Sequence, residues 1–313
     1  MSFEVAIVGA GNLGSRHLQG LVKSKNLHHC HVVELSDTKI HYARKLLNDC
    51  EKQKATFYRS ISDLPSKVDC AVIATTAAGR ELILEELVKN KICSSFIIEK
   101  IAFDRMLTFK NVQQLFKRNN VHAEINFPRR WCDHYQWMKK VLSGNKYLEV
   151  EVFGENWGIA SNTIHFIDLC NYLSSTKEDK AEDLRGDFKI IDSKRDRYSE
   201  LTGSSQIITK SWSLSLKSAP SKQVYHHIRI NSDKGEFLID EIAMQIEFTD
   251  GRKVSIKTPL QSELTARYLD HFALDGSFNL TPFEESLGAH QILFETFRKY
   301  PELKDSSGRW MIT

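Results

Sequence analysis

The sequence predicts an α/β fold in two parts: an N-terminal domain with a parallel sheet, then an α/β domain with a large, mostly antiparallel open sheet. Two observations carry this. Up to Phe127, short apolar runs alternate with amphipathic stretches of helical period, the pattern of strands joined by crossover helices. Beyond Pro128, apolar residues recur at every second position, as half-buried antiparallel strands require. A chain of 313 residues is long enough for a core in each part.

The first strand, Phe3 to Val8, is apolar apart from Glu4 and runs into Gly9-Ala10-Gly11-Asn12-Leu13-Gly14, a G-x-G-x-x-G loop. A helix follows from Ser15 to Lys25, then a strand from His31 to Val33 that ends on Glu34. In this order the parts read as a dinucleotide site, rather than a structural glycine turn with an incidental acid. Gly9 permits the tight turn, Gly11 lets the backbone approach a pyrophosphate, and Gly14 lets helix and strand pack closely. The helix N-terminus presents N–H groups and partial positive charge to the phosphates. Glu34 can accept the ribose hydroxyls. On this stretch alone an S-adenosylmethionine site is the nearest rival; motifs farther along decide against it.

Asp37 to Asn48, Glu81 to Asn90 and Met106 to Arg118 read as helices. Asp69 to Ala74, Ser95 to Ile98 and Val121 to Phe127 read as strands. Ligands of such sheets lie beyond the carboxyl ends of the strands. Thr75, Thr76, Glu99, Lys100 and Asn126 fall at those ends, and with Gly9, Gly11, Asn12, Leu13, Gly14 and Glu34 they complete the candidate cofactor and substrate positions of this domain. In the second part, Tyr147 to Phe153, Ser211 to Lys217, Met244 to Phe248 and Arg252 to Lys257 alternate as strands. The charged stretch Thr176 to Gly186 reads as an exposed excursion, and Ser262 to Leu274 and Phe283 to Tyr300 as closing helices. The expected division is 1–124 for dinucleotide binding and 125–313 for substrate binding and oligomerisation, with the last helices able to return to the first domain. A wide sheet covered on one side leaves an apolar face, which predicts a homodimer or homotetramer through that sheet.

A net charge of +3 gives no reason to expect nucleic-acid or membrane partners, and no apolar run is long enough to span a bilayer. The chain enters its first strand directly, which leaves no room for a secretory signal and predicts a cytoplasmic protein. Cys30, Cys50, Cys70, Cys93, Cys132 and Cys170 are scattered, as reduced thiols are. No metal-ligand spacing is present; His28, His29 and His31 read as a solvated loop.

Two stretches carry chemistry beyond the glycine loop. Lys100 follows an apolar strand and can donate to a substrate oxygen, or form a simple ion pair. Ser161, Asn162, His165 and Asp168 fall at helical spacing, so one face can present them together, and a histidine there can pass a proton near neutral pH. Arg129 and Arg130 can hold a carboxylate or phosphate bidentately, or pair with acids; Lys194, Arg195 and Arg197 can add to that patch.

These motifs together resemble the Gfo/Idh/MocA family of NAD(P)-dependent sugar and cyclitol oxidoreductases, over nearly the whole chain. Gly9 to His17 resembles its opening motif, Glu99-Lys100 its E-K-P, His165-Phe166-Ile167-Asp168 its H-x-x-D, and Leu280 to Ser286 its late loop. Gly14-Ser15-Arg16-His17, Asn126 to Trp131 and Asn156-Trp157-Gly158 look most like members from bacterial surface-polysaccharide clusters. The resemblance implies that Lys100 and His165 are catalytic; Asn126, Arg129, Arg130, Trp157, Ser161 and Asn162 are expected to join His165 around the substrate. Three positions depart from the family: Ser161 stands where an aspartate is usual, Ile101 replaces the proline of E-K-P, and Thr75 to Arg80 alters its T-P-x-x-x-H loop. Glu34 favours NAD over NADP, because a carboxylate repels a 2′-phosphate. The expected substrate is a sugar, a nucleotide-linked sugar or a sugar acid. The competing expectation is a sensor of the same fold that binds the dinucleotide without turnover.

Overall fold

A computed structural model of the chain describes residues 2–193 and 195–312; Lys194 lies outside them. The chain forms two compact units. One holds the residues up to Pro128 together with Pro259–Phe283, and the other Arg129–Thr258 with the residues from Glu284 onward. The division thus falls a little after the boundary expected at 124, because the strand that ends at Asn126 belongs to the first sheet.

The first unit begins β1 (Phe3–Val8), α1 (Asn12–Leu21), β2 (Leu27–Val33), α2 (Asp37–Lys45), α3 (Asp49–Lys52), β3 (Ala55–Tyr58), β4 (Cys70–Ile73), α4 (Arg80–Lys89), β5 (Ser95–Glu99), α5 (Met106–Asn119) and β6 (His122–Asn126). The second unit then supplies α6 (Asp133–Val141), β7 (Leu148–Glu155), α7 (Ile159–Ser174), β8 (Asp183–Asp192), β9 (Ser199–Ile208), β10 (Ser213–Ala219), β11 (Tyr225–Ser232), β12 (Gly235–Asp240), β13 (Gln245–Phe248) and β14 (Lys253–Ser255). The chain returns to the first unit for α8 (Gln261–Asp275) and β15 (Thr281–Pro282) and ends with α9 (Phe283–Thr296).

The first sheet has the order β15-β6-β5-β4-β1-β2-β3 and is parallel except for β15. Val5 to Val8 and all of β4 are buried, as expected for central parallel strands. The strand order switches direction between β1 and β4, the place where such sheets take ligands beyond their carboxyl ends. His28, His29 and His31 are not a loop but part of β2, where His31 is buried with Nε2 2.5 Å from Glu4 on β1. The pairing of β2 with β1 from Leu27 onward draws them into the sheet.

The second sheet runs β14-β13-β12-β11-β7-β10-β9-β8 and is antiparallel except for the pair β7–β10. Leu148, Val150 and Val152 share a buried face with Leu214, Leu216, Ile228 and Ile230, and α7 packs on β7, β9 and β10. The opposite face is not the apolar surface expected. It carries Glu149, Glu151, Lys217, Arg229 and Asn231, and Arg229 bridges Glu151 and Glu236. The charged excursion is also corrected: from Asp183 it is the edge strand β8, where charges guard the open edge. No helix among the described residues is long and apolar enough to cross a membrane.

Candidate active site

The glycine loop turns off β1 with Gly9 at φ +94°, where a Cβ would lie 3.0 Å from the Thr75 backbone nitrogen. A Cβ on Gly14 would lie 1.9 Å from the Gly9 carbonyl oxygen, so only glycine lets α1 start this close to the strand. At Gly11 a Cβ would meet nothing within 4 Å. Gly11 begins α1 with no side-chain cap, and Asn12 and Leu13 are exposed beside it. Backbone N–H groups at an open helix start form a cradle for phosphate. Thr75 stands against Gly9 at the end of β4, and its buried Oγ1 has no hydrogen-bond partner among the described residues. Glu34 is buried at the end of β2; Oε2 accepts from the Ala10 N–H at 2.8 Å and Oε1 from the Ser36 N–H at 3.0 Å. It therefore holds the glycine loop as well as offering a carboxylate to a ribose. Thr76 is exposed next to Thr75.

Lys100, half-buried, follows directly on β5. The Glu99 carboxylate before it is buried and turned inward, 2.7 Å from His17 Nε2 on α1. Burial pushes the Glu99 carboxyl up, but hydrogen bonds from His17 and Asn126 and the nearby Arg80 outweigh it and hold the group below the usual carboxylate range. Asn126 on β6 donates to Glu99 and, at 2.9 Å, to Gln261 Oε1, and accepts from the Tyr268 hydroxyl at 3.2 Å. Its amide is fully engaged inside the first unit.

In the second unit, α7 starts on Gly158 at φ +72° without a cap from its own sequence. Glu200, arriving on β9, supplies one: Oε1 accepts from the Ala160 N–H at 2.5 Å and both oxygens from the Ser161 N–H at 3.3 Å. A Cβ on Gly158 would lie 2.7 Å from Glu200 Oε2. Asn162 Nδ2 donates back to the carbonyls of Trp157 at 2.7 Å and Gly158 at 2.9 Å. Ser161, Asn162 and His165 are half-buried on a helix otherwise sunk in the core, and Asp168 is buried. Asp168 takes Arg130 bidentately at 2.7 and 3.1 Å, and Glu285 takes the same guanidinium at 2.5 Å. Arg129 is bidentate with Glu241 at 3.0 and 2.7 Å and lies over the Phe166 ring. Burial alone would lower both arginine pKa values; the buried carboxylates more than offset it and raise them. Trp157 is buried and donates Nε1–H to the Lys217 carbonyl at 2.9 Å.

Residues 3–127 match the model of the GFO_IDH_MocA family, described as an oxidoreductase family with an NAD-binding Rossmann fold. Over these residues the chain is similar to the Rossmann domain of the Gfo/Idh/MocA oxidoreductases. No curated protein sequence matches the chain. Among solved structures it is similar to UDP-N-acetylglucosamine 3-dehydrogenase GnnA from Acidithiobacillus ferrooxidans, at 15% identity over 95% of this chain and 97% of that one, TM-score 0.73. It is also similar to scyllo-inositol dehydrogenase from Lactobacillus casei with bound NAD(H) and scyllo-inositol, at 13% identity over 96% and 98%, TM-score 0.68. Myo-inositol 2-dehydrogenase from Lactobacillus plantarum matches at 15% identity over 95% and 97%, TM-score 0.70. At these identities the likeness is one of fold.

Residues 3–127 form an NAD-binding Rossmann domain, and the open cradle at Gly11, the Thr75 hydroxyl without a partner among the described residues, and Glu34 fit that group. Several side chains expected at the ligand have other work. Glu99 and Asn126 are engaged with each other and with α1 and α8, and Arg129, Arg130 and Trp157 with partners inside the second unit. The reason is burial: a guanidinium or carboxylate this deep needs an opposite charge. Arg130, Asp168 and Glu285 come from three separate motifs noted in the sequence, and they meet in one ion cluster. Sequence reading missed Glu200, which no local pattern links to α7, and Glu241. His17 was visible only as part of the opening motif.

Proposed function

We propose that this chain is an NAD-dependent oxidoreductase acting at a carbinol or keto carbon of a sugar or polyol, with a nucleotide-activated sugar or a sugar acid as the finer expectation. One observation carries the reading: Lys100 leaves the carboxyl end of β5, on the same edge of the sheet as the glycine loop and Thr75. NAD, when bound, supplies the hydride chemistry. Lys100 and His165 move or hold the proton at the substrate oxygen, Lys100 by its ammonium and His165 by its imidazole. Ser161 and Asn162, on the half-buried side of α7 with His165, orient the substrate hydroxyls. The likeness to a sugar-nucleotide dehydrogenase and to inositol dehydrogenases supports the substrate class. The motif likeness to surface-polysaccharide members supports a place in that chemistry, in the cytoplasm. A homodimer or homotetramer is the proposed assembly, and light scattering of the purified protein tests its size.

The test is NADH oxidation against a panel of keto-sugars, inosose and nucleotide keto-sugars. Turnover with at least one member is the expected result. Tight NADH binding without turnover on any member favours the sensor, a reading supported by Ser161 in place of the family's aspartate.

A further inference from the structure

Arg80 is the first residue of α4 and is 2% exposed. A cation at a helix N-terminus opposes the helix dipole, so the helix itself gives no reason for an arginine there. The reason lies in four backbone carbonyls. Nη1 donates to Ile101 O at 2.7 Å, to Ala102 O at 2.9 Å and to Glu99 O, while Nη2 donates to Thr75 O. The ladder between β4 and β5 stops at Ile73 and Ile98. Beyond that point the carbonyls of Thr75, Glu99, Ile101 and Ala102 all accept from this one guanidinium, and buried carbonyls require donors. A planar guanidinium offers several N–H groups in a fixed fork, which a lysine cannot match.

We propose that Arg80 is the positioning residue for Lys100, clamping the main chain on both sides of it to the β4 end at Thr75. With Glu99 also held through its side chain by His17 and Asn126, the residues flanking Lys100 are fixed and the Lys100 amine is set relative to the cofactor edge of the first unit. This rests on the reading of Lys100 as the proton-carrying residue.

Competitive acetylation followed by peptide mass spectrometry reads the environment of Lys100 without any substrate. Wild type, Arg80→Lys and Arg80→Ala are labelled from about pH 7 to about pH 11, which brackets an ordinary lysine, with exposed Lys91 as internal reference. The clamp predicts that the Lys100 profile moves several-fold relative to Lys91 in both variants, and that millimolar guanidinium restores Arg80→Ala toward wild type. With a substrate in hand, kcat falls about tenfold to a hundredfold through misplacement of the amine while the KM for NADH stays close to wild type. A folded variant of either kind with the wild-type Lys100 profile overturns the proposal. So does failure of both variants to fold, since Arg80 would then serve the fold as a whole. If Lys100→Ala keeps full turnover, the role of Lys100 fails while the labelling result for Arg80 still stands.

Discussion

His17 Nε2 lies 2.7 Å from Glu99 Oε1, and both side chains are buried. This contact ties α1, which begins at the glycine loop, to the strand end that carries Lys100. Removing one partner of a buried pair leaves the other uncompensated, so His17→Ala is expected to cost about 3–5 kcal/mol in urea unfolding. The pH dependence has a definite sign. The Glu99 carboxyl is held below its ordinary value, because bonds from His17 and Asn126 outweigh burial. Its contribution is then complete above an unfolded carboxyl pKa of about 4.3 and fades as the pH falls through the lower folded value. The stability gap between wild type and Glu99→Gln should narrow below about pH 4. A gap that stays constant from neutral to acid pH would rule out an ionised Glu99 as its source.

Lys100→Ala and His165→Ala are each expected to lower kcat by about 10²–10⁴, the usual contribution of a positioned proton donor or acceptor. NADH affinity, titrated by fluorescence, should change little, because the cradle at Gly11 and Glu34 is untouched. Near-wild-type turnover in either variant would strip that residue of its proton role.

Arg129 and Arg130 separate two roles that look alike in sequence. Their bidentate faces are taken by Glu241 and Asp168, so Arg129→Ala and Arg130→Ala should destabilise the second unit by about 3–5 kcal/mol by stranding buried carboxylates. Thermal denaturation reads this directly. A variant with wild-type stability but weaker binding of an anionic sugar would return that arginine to the substrate.

Where the sequence was readable, a local rule forced the answer. The β1 run, the glycine loop and Glu34 lie within 32 residues and obey one geometry, and the structure keeps them together. The alternation of Leu148, Val150 and Val152 marked β7, because one face of that strand is buried and the other is not. Such rules fail where partners are distant. Glu200 caps α7 from 39 residues or more along the chain, and Glu241 meets Arg129 at a separation of 112. No periodicity records either. β8 was hidden because the charges that protect an edge strand also look like a solvated loop.

Glu34→Ala tests cofactor choice and loop support together. The carboxylate accepts from the Ala10 and Ser36 N–H groups and is available to the ribose. Losing charge-assisted hydrogen bonds of about 1.5–3 kcal/mol should weaken NADH binding about tenfold or more. The loss of a negative charge at the 2′ position should at the same time narrow the preference over NADPH. Unchanged affinities for both would place the ribose elsewhere.

The glycines of the loop offer the sharpest separation of fold from binding. At Gly14 a methyl group would stand 1.9 Å from the Gly9 carbonyl oxygen, a backbone atom that cannot swing aside. Gly14→Ala must therefore push α1 away from β1, and a melting transition shifted sharply down, or loss of soluble protein, is expected. At Gly11 the same methyl group meets no protein atom within 4 Å, so Gly11→Ala should melt close to wild type. The space it fills is where the backbone N–H groups at the start of α1 face a pyrophosphate. A methyl group there holds the phosphates off those donors, and NADH affinity should fall about tenfold or more through the lost charge-assisted bonds. Paired measurement of melting temperature and NADH titration decides the matter: if Gly11→Ala binds NADH as wild type does, the pyrophosphate does not lie over this turn.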